Sequence, residues 1–368
     1  MRVVLTVNAA WNVLNFRRPL VDYLLAAGHH VTVLAPPDGS EDALRQLGCA
    51  FVPLPMNAKG LSPLDGVRLV RQFKRHFRDL DPEIVLSFTI KNNLFGAVAA
   101  RSLGIPFIPN VTGLGTAFLS GRALQMVAEG LYRYCFRHLP VVFFQNEDDR
   151  DLFLSRGLIQ LGQARLLPGS GIDLTRFSVT PLPGQDNPVF LMVARLIRDK
   201  GVLEYAQAAA IVKRQFPNAQ FRILGPLGAE NRSAIPPEIV ASWSPDTDLD
   251  YLGETSDVRP HIEAADCVVL PSYREGAPRT LIEAAAMGRA LIATDVPGCR
   301  AVVQDEITGF LCGLQDAQSL ADACTQFVQL TPEQRRSMGL TGRQKMEREY
   351  DQSIVVQAYD AAIQDVRN

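Results

Sequence analysis

Short apolar runs alternate with amphipathic stretches along the chain, and the alternation is gone through twice. In the first pass, apolar runs at 2–7, 30–35, 50–53, 83–87, 105–109, 141–145 and 164–167 read as strands. Between them, 16–27, 41–47, 65–79, 92–103, 121–138 and 147–156 carry apolar residues at helical spacing. A stretch dense in Pro and Gly, 168–188, interrupts the pattern. Strands are then expected at 189–193, 220–224, 249–252, 267–270, 290–293 and 309–312. Helices are expected at 201–215, 256–264, 279–287, 316–329 and 332–348, with a last one over 351–366. Strands that alternate with helices build a parallel sheet covered on both faces. The predicted class is therefore α/β. It has a doubly wound domain over 1–170, a linker over 171–188 and a second doubly wound domain over 189–350. Residues 351–368 form a helix expected to pack back toward the first domain.

Composition narrows the function. The 368 residues are 47% hydrophobic and 21% charged, a soluble globular balance able to bury large cores. A net charge of −2 gives no global reason to expect a nucleic-acid partner. The charge is uneven, with +5 over residues 1–180 and −7 over the rest, which hints at an anionic partner for the first half. The six cysteines form no C-x-x-C pair and have no His partner at metal spacing, so they read as reduced thiols of a cytoplasmic protein. The chain enters a strand at Arg2 without a signal-peptide pattern, and no apolar run is long enough to span a membrane. The turn after the first strand lacks G-x-G-x-x-G, and no G-x-x-x-x-G-K-[ST] occurs. Dinucleotide and P-loop chemistry are thereby disfavoured.

Residues 268–294 say most about chemistry. They read as an apolar strand, a polar loop, a helix and a second strand, and they carry Glu275 and Glu283 with seven residues between. Pro278 suits the first helical position, which puts Glu275 in the loop and Glu283 inside the helix. A carboxylate and several free helical N–H groups would then point at the ends of parallel strands, where open α/β sheets bind nucleotides. In the same domain, Arg195 and Lys200 leave the strand 189–193 just before a helix. Two cations there would neutralise a diphosphate. Taken alone they read equally as solvated surface charges.

These residues resemble the large family of retaining glycosyltransferases called family 4, or glycosyl transferases group 1. The likeness is carried by Arg195-Leu-Ile-Arg-Asp-Lys200-Gly201, Leu224-Gly225, Tyr251-Leu-Gly-Glu and Ala265-Asp266. It continues through Pro271-Ser-Tyr-Arg-Glu-Gly-Ala-Pro278, Leu281-Ile-Glu-Ala, Thr294-Asp-Val-Pro-Gly298 and Thr308-Gly-Phe-Leu. The resemblance implies the GT-B architecture, two Rossmann-like domains facing a central cleft. It implies that Glu283 accepts hydrogen bonds from the ribose of a UDP-sugar and that Glu275 holds a hydroxyl of the donor sugar. Gly276, Ala277, Pro278, Arg279 and Thr280 would form the turn whose N–H groups meet the phosphates. Arg195 and Lys200 would stabilise the leaving diphosphate. A covalent role for Glu275 ranks below front-face transfer, in which the donor phosphate helps take the acceptor's proton. Asp246-Thr-Asp248 reads as a solvated turn, so neither a metal nor a cofactor is expected.

The first half would hold the acceptor, with Asn12, Asn15, Arg17, Lys91, Asn92, Thr112 and Gly113 on loops after strands. Thr112 stands where many relatives carry a histidine. The loops at 87–96, 110–115, 144–149 and 168–173 are similar to a narrower group that extends undecaprenyl-diphosphate-linked saccharides with N-acetylhexosamine or hexose. Such an acceptor implies work at the inner face of the plasma membrane. Helix 65–79 fits this, with Leu69, Phe73 and Phe77 at helical spacing among Arg68, Arg71, Lys74, Arg75 and Arg78. Periodicity does not separate a helix lying on an anionic membrane from one packed on a sheet. A UDP-N-acetylhexosamine 2-epimerase of the same architecture and a GDP-sugar transferase are the alternatives.

Overall fold

The computed structural model describes residues 1–56, 63–114, 122–184, 187–228, 233–243 and 249–367. The acidic pair Asp246 and Asp248 lies outside them. The chain forms two compact units, one of Met1–Ser170 with the chain end from Gln352, the other of Gly171–Asp351.

The first unit runs β1 (Arg2–Thr6), α1 (Trp11–Phe16), α2 (Arg18–Ala26), β2 (His30–Ala35), α3 (Glu41–Gln46), β3 (Ala50–Pro53) and α4 (Pro63–Leu80). It continues with β4 (Ile84–Phe88), α5 (Ile90–Arg101), β5 (Phe107–Val111), α6 (Arg122–Phe136), β6 (Val142–Phe144), α7 (Glu147–Ser155) and β7 (Ala164–Leu166). Its strands lie in the order β3-β2-β1-β4-β5-β6-β7, every pair parallel. β4 and β5 are buried at every position, as expected of a parallel sheet covered on both faces.

The second unit runs β8 (Val189–Val193), α8 (Val202–Gln215), β9 (Gln220–Leu224), α9 (Pro237–Ala241), β10 (Asp250–Tyr251), α10 (Arg259–Glu263) and β11 (Cys267–Leu270). Then come α11 (Arg279–Ala286), β12 (Ala290–Thr294), α12 (Cys299–Val302), β13 (Gly309–Cys312), α13 (Ala317–Gln329) and α14 (Pro332–Glu349). Its parallel sheet has the order β10-β9-β8-β11-β12-β13. The Pro- and Gly-rich segment packs into this unit through Ile172 and Phe177. Arg289, fully buried, donates to the carbonyls of Thr180 and Pro181 and pins the same segment. The last helix, α15 (Gln352–Arg367), buries Val355, Tyr359 and Ile363 in the core of the first unit.

Several elements differ from the sequence pattern for identifiable reasons. The helix expected over 16–27 is broken at Arg17, because Pro19 supplies no N–H and clashes with the turn before it. β5 reaches Val111 although Asn110 reads as loop. Its carbonyl accepts from Asn93 Nδ2 at 2.7 Å and its amide donates to Tyr359 Oη at 3.0 Å. The helix expected from 256 starts only at Arg259, since Asp257 Oδ1 takes up the Arg259 N–H. α9 and α12 are too short to show a period.

α4 settles how its apolar stripe is used. Leu69, Phe73 and Phe77 are 5%, 0% and 1% exposed and lie in the core beneath the helix. That face is therefore not available for insertion into a bilayer. Arg68, Arg71, Arg75 and Arg78 remain exposed and Lys74 half-buried. Among the described residues no helix is long and apolar enough to cross a membrane. Phe73→Ala is expected to cost about 3–5 kcal/mol of folding stability in urea melts. A loss below about 0.5 kcal/mol would mean the stripe is not core.

Candidate functional site

In the second unit the chain leaves β8 toward β9 and leaves β11 toward β12, on opposite sides. Between the diverging loops, at the carboxyl ends of β8 and β11, such sheets open a crevice for ligands. Arg195 follows β8 and Glu275 follows β11, so both expected residues lie at this edge. The 3₁₀ turn Arg198–Lys200 is bound to the loop after β11, because the carbonyl of Asp199 accepts from Tyr273 N at 2.9 Å and from Ser272 Oγ at 3.2 Å.

That junction demands glycine. Gly201 sits at φ +73°, and a Cβ on it would lie 2.0 Å from the Pro271 carbonyl oxygen. The absence of a side chain lets the start of α8 touch the end of β11. Lys200 is thereby carried to Glu275, and its ammonium donates to Glu275 Oε1. Both side chains are mostly buried, at 23% and 12% exposure. Gly298, in the loop after β12, backs the same turn: a Cβ there would meet the carbonyl oxygens of Gly276 and Glu275 at 2.5 and 2.6 Å. Arg195 is exposed and makes no ion pair among the described residues.

α11 begins at Arg279, where the sequence pattern places its start, but Pro278 stands just before the helix and not at its first position. Pro278 has an extended ψ of 103° and acts as the cap, its carbonyl accepting from Leu281 N and Ile282 N. Gly276 and Pro278 are buried, Ala277 half-buried. Thr280 Oγ1 donates to the Val193 carbonyl at 3.0 Å, which ties the first turn of α11 to the end of β8. Arg279 turns back along the helix. Its Nε donates to Glu283 Oε1 at 2.8 Å and its Nη1 to the Gly171 carbonyl at 3.2 Å. Burial pushes the Glu283 carboxyl above the usual carboxylate range, against the opposing pull of Arg279.

Two further groups at this edge escaped the sequence reading. Tyr273 Oη donates to Glu204 Oε1 at 2.7 Å, and burial with that bond pushes the phenol up to about 12. Gly171 supplies the carbonyl that steers Arg279. No local pattern flags either, since each partner is distant in sequence.

In the first unit β1, β4 and β5 are neighbours, so the loops after them share one edge of the sheet. Thr112 and Gly113 follow β5 and are half-buried. Lys91 opens α5, half-buried, its ammonium pushed down by burial. Asn12 is half-buried, and Asn15 is exposed with Nδ2 on the Trp11 carbonyl at 3.0 Å. Asn92 and Arg17 lie inside the fold. Asn92 Nδ2 donates to Thr6 Oγ1 at 2.6 Å and its Oδ1 accepts from Thr89 Oγ1 at 3.0 Å. Arg17, 5% exposed, stacks 4.3 Å above the Phe88 ring and donates to Ser170 Oγ. Thr89 holds φ +75°, ψ 150°, a strained state for a β-branched residue, at the head of α5.

Two doubly wound parallel sheets, one with a mostly buried carboxylate–ammonium pair at its switch point, are the α/β class that takes ligands at the carboxyl ends of its strands. A family model for "Glycosyl transferases group 1" matches residues 177–345, and one for a "Glycosyl transferase 4-like domain" matches 15–169. The chain belongs to this glycosyltransferase family, and its fold is GT-B. It is 25% identical, over 98% of its length and 97% of the relative's, to N,N'-diacetylbacillosaminyl-diphospho-undecaprenol alpha-1,3-N-acetylgalactosaminyltransferase of Campylobacter jejuni. It is also 25% identical, over 66% of the chain and 65% of the relative, to UDP-Gal:alpha-D-GlcNAc-diphosphoundecaprenol alpha-1,3-galactosyltransferase of Escherichia coli. Among solved structures, Anabaena HepE in complex with UDP and glucose superposes with a TM-score of 0.80 at 15% identity, covering 99% of both chains.

Gly201→Ala is expected to lower stability by about 2 kcal/mol or more in urea melts, from the left-handed backbone and the carbonyl clash. A neutral outcome would mean that α8 and β11 do not meet as described.

Proposed function

We propose that the protein is a retaining, metal-independent glycosyltransferase. It moves a hexosyl or N-acetylhexosaminyl unit from a UDP-sugar to a saccharide on a polyprenyl diphosphate. The work belongs to bacterial surface-polysaccharide or glycan assembly, at the cytoplasmic face of the membrane. The observation that carries the donor half is the meeting of Lys200 with Glu275 at the switch point of the second sheet. The names of the two undecaprenol-linked relatives carry the acceptor half.

The chemistry follows from the groups present. The bond from the sugar's anomeric carbon to the diphosphate oxygen breaks, and the leaving charge grows on the diphosphate. Lys200 and the exposed Arg195 meet that charge where it develops. The acceptor hydroxyl attacks the same face, and its proton passes to the departing phosphate oxygen. Glu275 is bound to an ammonium, which weakens it as a nucleophile and suits it to hold a sugar hydroxyl. Glu283 accepts from the ribose, and the turn Gly276-Ala277-Pro278 with Arg279 and Thr280 seats the phosphates. On the acceptor side Asn12, Asn15, Lys91, Thr112 and Gly113 offer polar contacts, with Arg17 and Asn92 holding the edge from within. The exposed cations of α4 attract an anionic membrane without inserting.

A panel of nucleotide sugars with short polyprenyl-diphosphate saccharides, read by mass spectrometry, should give one extended product with the anomeric configuration kept. Epimerised UDP-N-acetylglucosamine without an acceptor would overturn the transferase reading. Lys200→Ala should lower kcat by about 10²–10³. UDP affinity should fall on acidification, beginning at a higher pH than an ordinary glutamate would give, because burial makes Glu283 take up its proton early. Glu283→Gln should remove that inflection, and an unchanged pH profile would refute the ribose assignment. Reversing Arg71, Lys74, Arg75 and Arg78 to Glu should release the protein from anionic vesicles, and unchanged sedimentation would sink the α4 surface.

A further inference from the structure

The first unit carries a second concavity, of about 530 Å³, that none of the transferase chemistry uses. Its walls come from the ends of α5 and α6 and from the segment between α7 and β7. Each of these leads into the start of a strand. The concavity therefore lies at the amino-terminal edge of the parallel sheet, opposite the edge that bears Asn12, Lys91 and Thr112.

Three guanidinium groups line it, those of Arg101, Arg133 and Arg137. None of them forms a carboxylate ion pair among the described residues. Arg101 donates to the Tyr134 carbonyl at 3.0 Å and lies 4.5 Å from the centre of the Tyr134 ring. Arg133 donates to the carbonyls of Gly157 and Arg156 at 3.2 and 2.8 Å. Glu129, the one acid in the sequence of α6, is engaged by Arg156 at 3.7 Å and by Gln125 Nε2 at 2.9 Å. Two cations are thus fixed by neutral groups, with N–H donors to spare from the five that each guanidinium carries. Arg137 is exposed beside them. Uncompensated positive charge in a concave wall focuses its field on the space in front of it. Guanidinium forks match phosphate oxygens in geometry as well as charge.

The remaining lining is mixed, with His138, Gln160 and Gln163 beside apolar groups. Leu158 and Ile159 form the buried floor, and the Tyr134 ring is 57% exposed. On α6 the residues 126, 130, 133, 134 and 137 recur at helical spacing, so one exposed stripe runs out of the concavity to Met126, 67% exposed, with Val127, 68% exposed, beside it. Cations at the mouth and an apolar track leading away suit an anion that carries hydrocarbon.

We infer that Arg101, Arg133 and Arg137 form a phosphate-binding site of the first unit, separate from the donor machinery, whose ligand is a phosphate group free or borne on a lipid. The site stands independently of the transferase reading, since it uses no residue of the second unit.

The test titrates the full chain with inorganic phosphate and with a dispersed short-chain phosphatidate by calorimetry. It is run in wild type and in an Arg195→Ala/Lys200→Ala background, which removes anion binding by those two cations. Flotation with phosphatidate-containing and with neutral phosphatidylcholine vesicles accompanies it. In that background the phosphatidate or the phosphate should still bind. Arg133→Gln/Arg137→Gln should weaken that binding by about tenfold or more. Arg137→Glu alone, at an exposed side chain with no hydrogen bond or ion pair among the described residues, should do so without lowering the melting temperature. Tighter binding of phosphatidate than of phosphate assigns the lipid source, and equal binding assigns the free phosphate. No binding of either ligand, or binding unchanged in both variants, would overturn the site. Reversal of the α4 cations should leave the calorimetric affinity unchanged; a parallel loss there would show diffuse charge instead of a built site.

Discussion

The second unit depends on one close approach of two backbones. Gly201, left-handed and without a side chain, lies against the carbonyl of Pro271, at the junction of the two central strands. A Cβ would need the space that the carbonyl oxygen fills. With it absent, the turn before α8 can hand its Asp199 carbonyl to Ser272 and Tyr273. Lys200 then falls beside Glu275 by construction. Gly298 repeats the device from the other side, letting the loop after β12 press on the turn that carries Glu275. The edge that bears Lys200 and Glu275 is thus positioned by main chain, whose placement the sheet fixes, and not by flexible side-chain reach.

Electrostatics completes what the backbone begins. Both carboxylates of the Glu275–Glu283 element are mostly buried, and each has a cation of the same unit against it, Lys200 and Arg279. Burying a charge is costly unless it is paired and hydrogen-bonded, so the pairs hold the carboxylates ready in the folded protein. A polar ligand that bound these groups would exchange one set of charge-assisted bonds for another instead of exposing bare charge.

The first unit uses a different device at its corresponding edge. Ser87 donates to Asn93, Asn93 to the Asn110 carbonyl, and Asn110 to Tyr359 of α15. Buried polar groups of three elements and the chain end are joined in one run of hydrogen bonds, which leaves only Asn110 Oδ1 of that run without a partner among the described residues. Asn92 belongs to the same kind of internal frame through Thr6 and Thr89. The strained Thr89 is held at this edge, where the cost of roughly 1–3 kcal/mol is carried by its surroundings. α4 shows the complementary economy, one face spent on the core and the cationic face left to solvent.

The sequence by itself determined the alternation of strands and helices, the doubly wound class and the element that carries Glu275 and Glu283. Those features are written in local periodicity and in a motif whose residues are neighbours along the chain. Tertiary structure decided what such signals do not contain. It decided that helix 16–27 breaks at Arg17, that β5 keeps Asn110 through a bond to Tyr359, and that the stripe of α4 is core. It also decided that Arg279 turns onto Glu283 and that three arginines from different segments share one concavity. At Arg17 the deciding residue, Pro19, is local; in the other cases it is remote in sequence, as with Tyr359 for Asn110 and Gly171 behind Arg279, and only the packed sheet brings it within bonding distance.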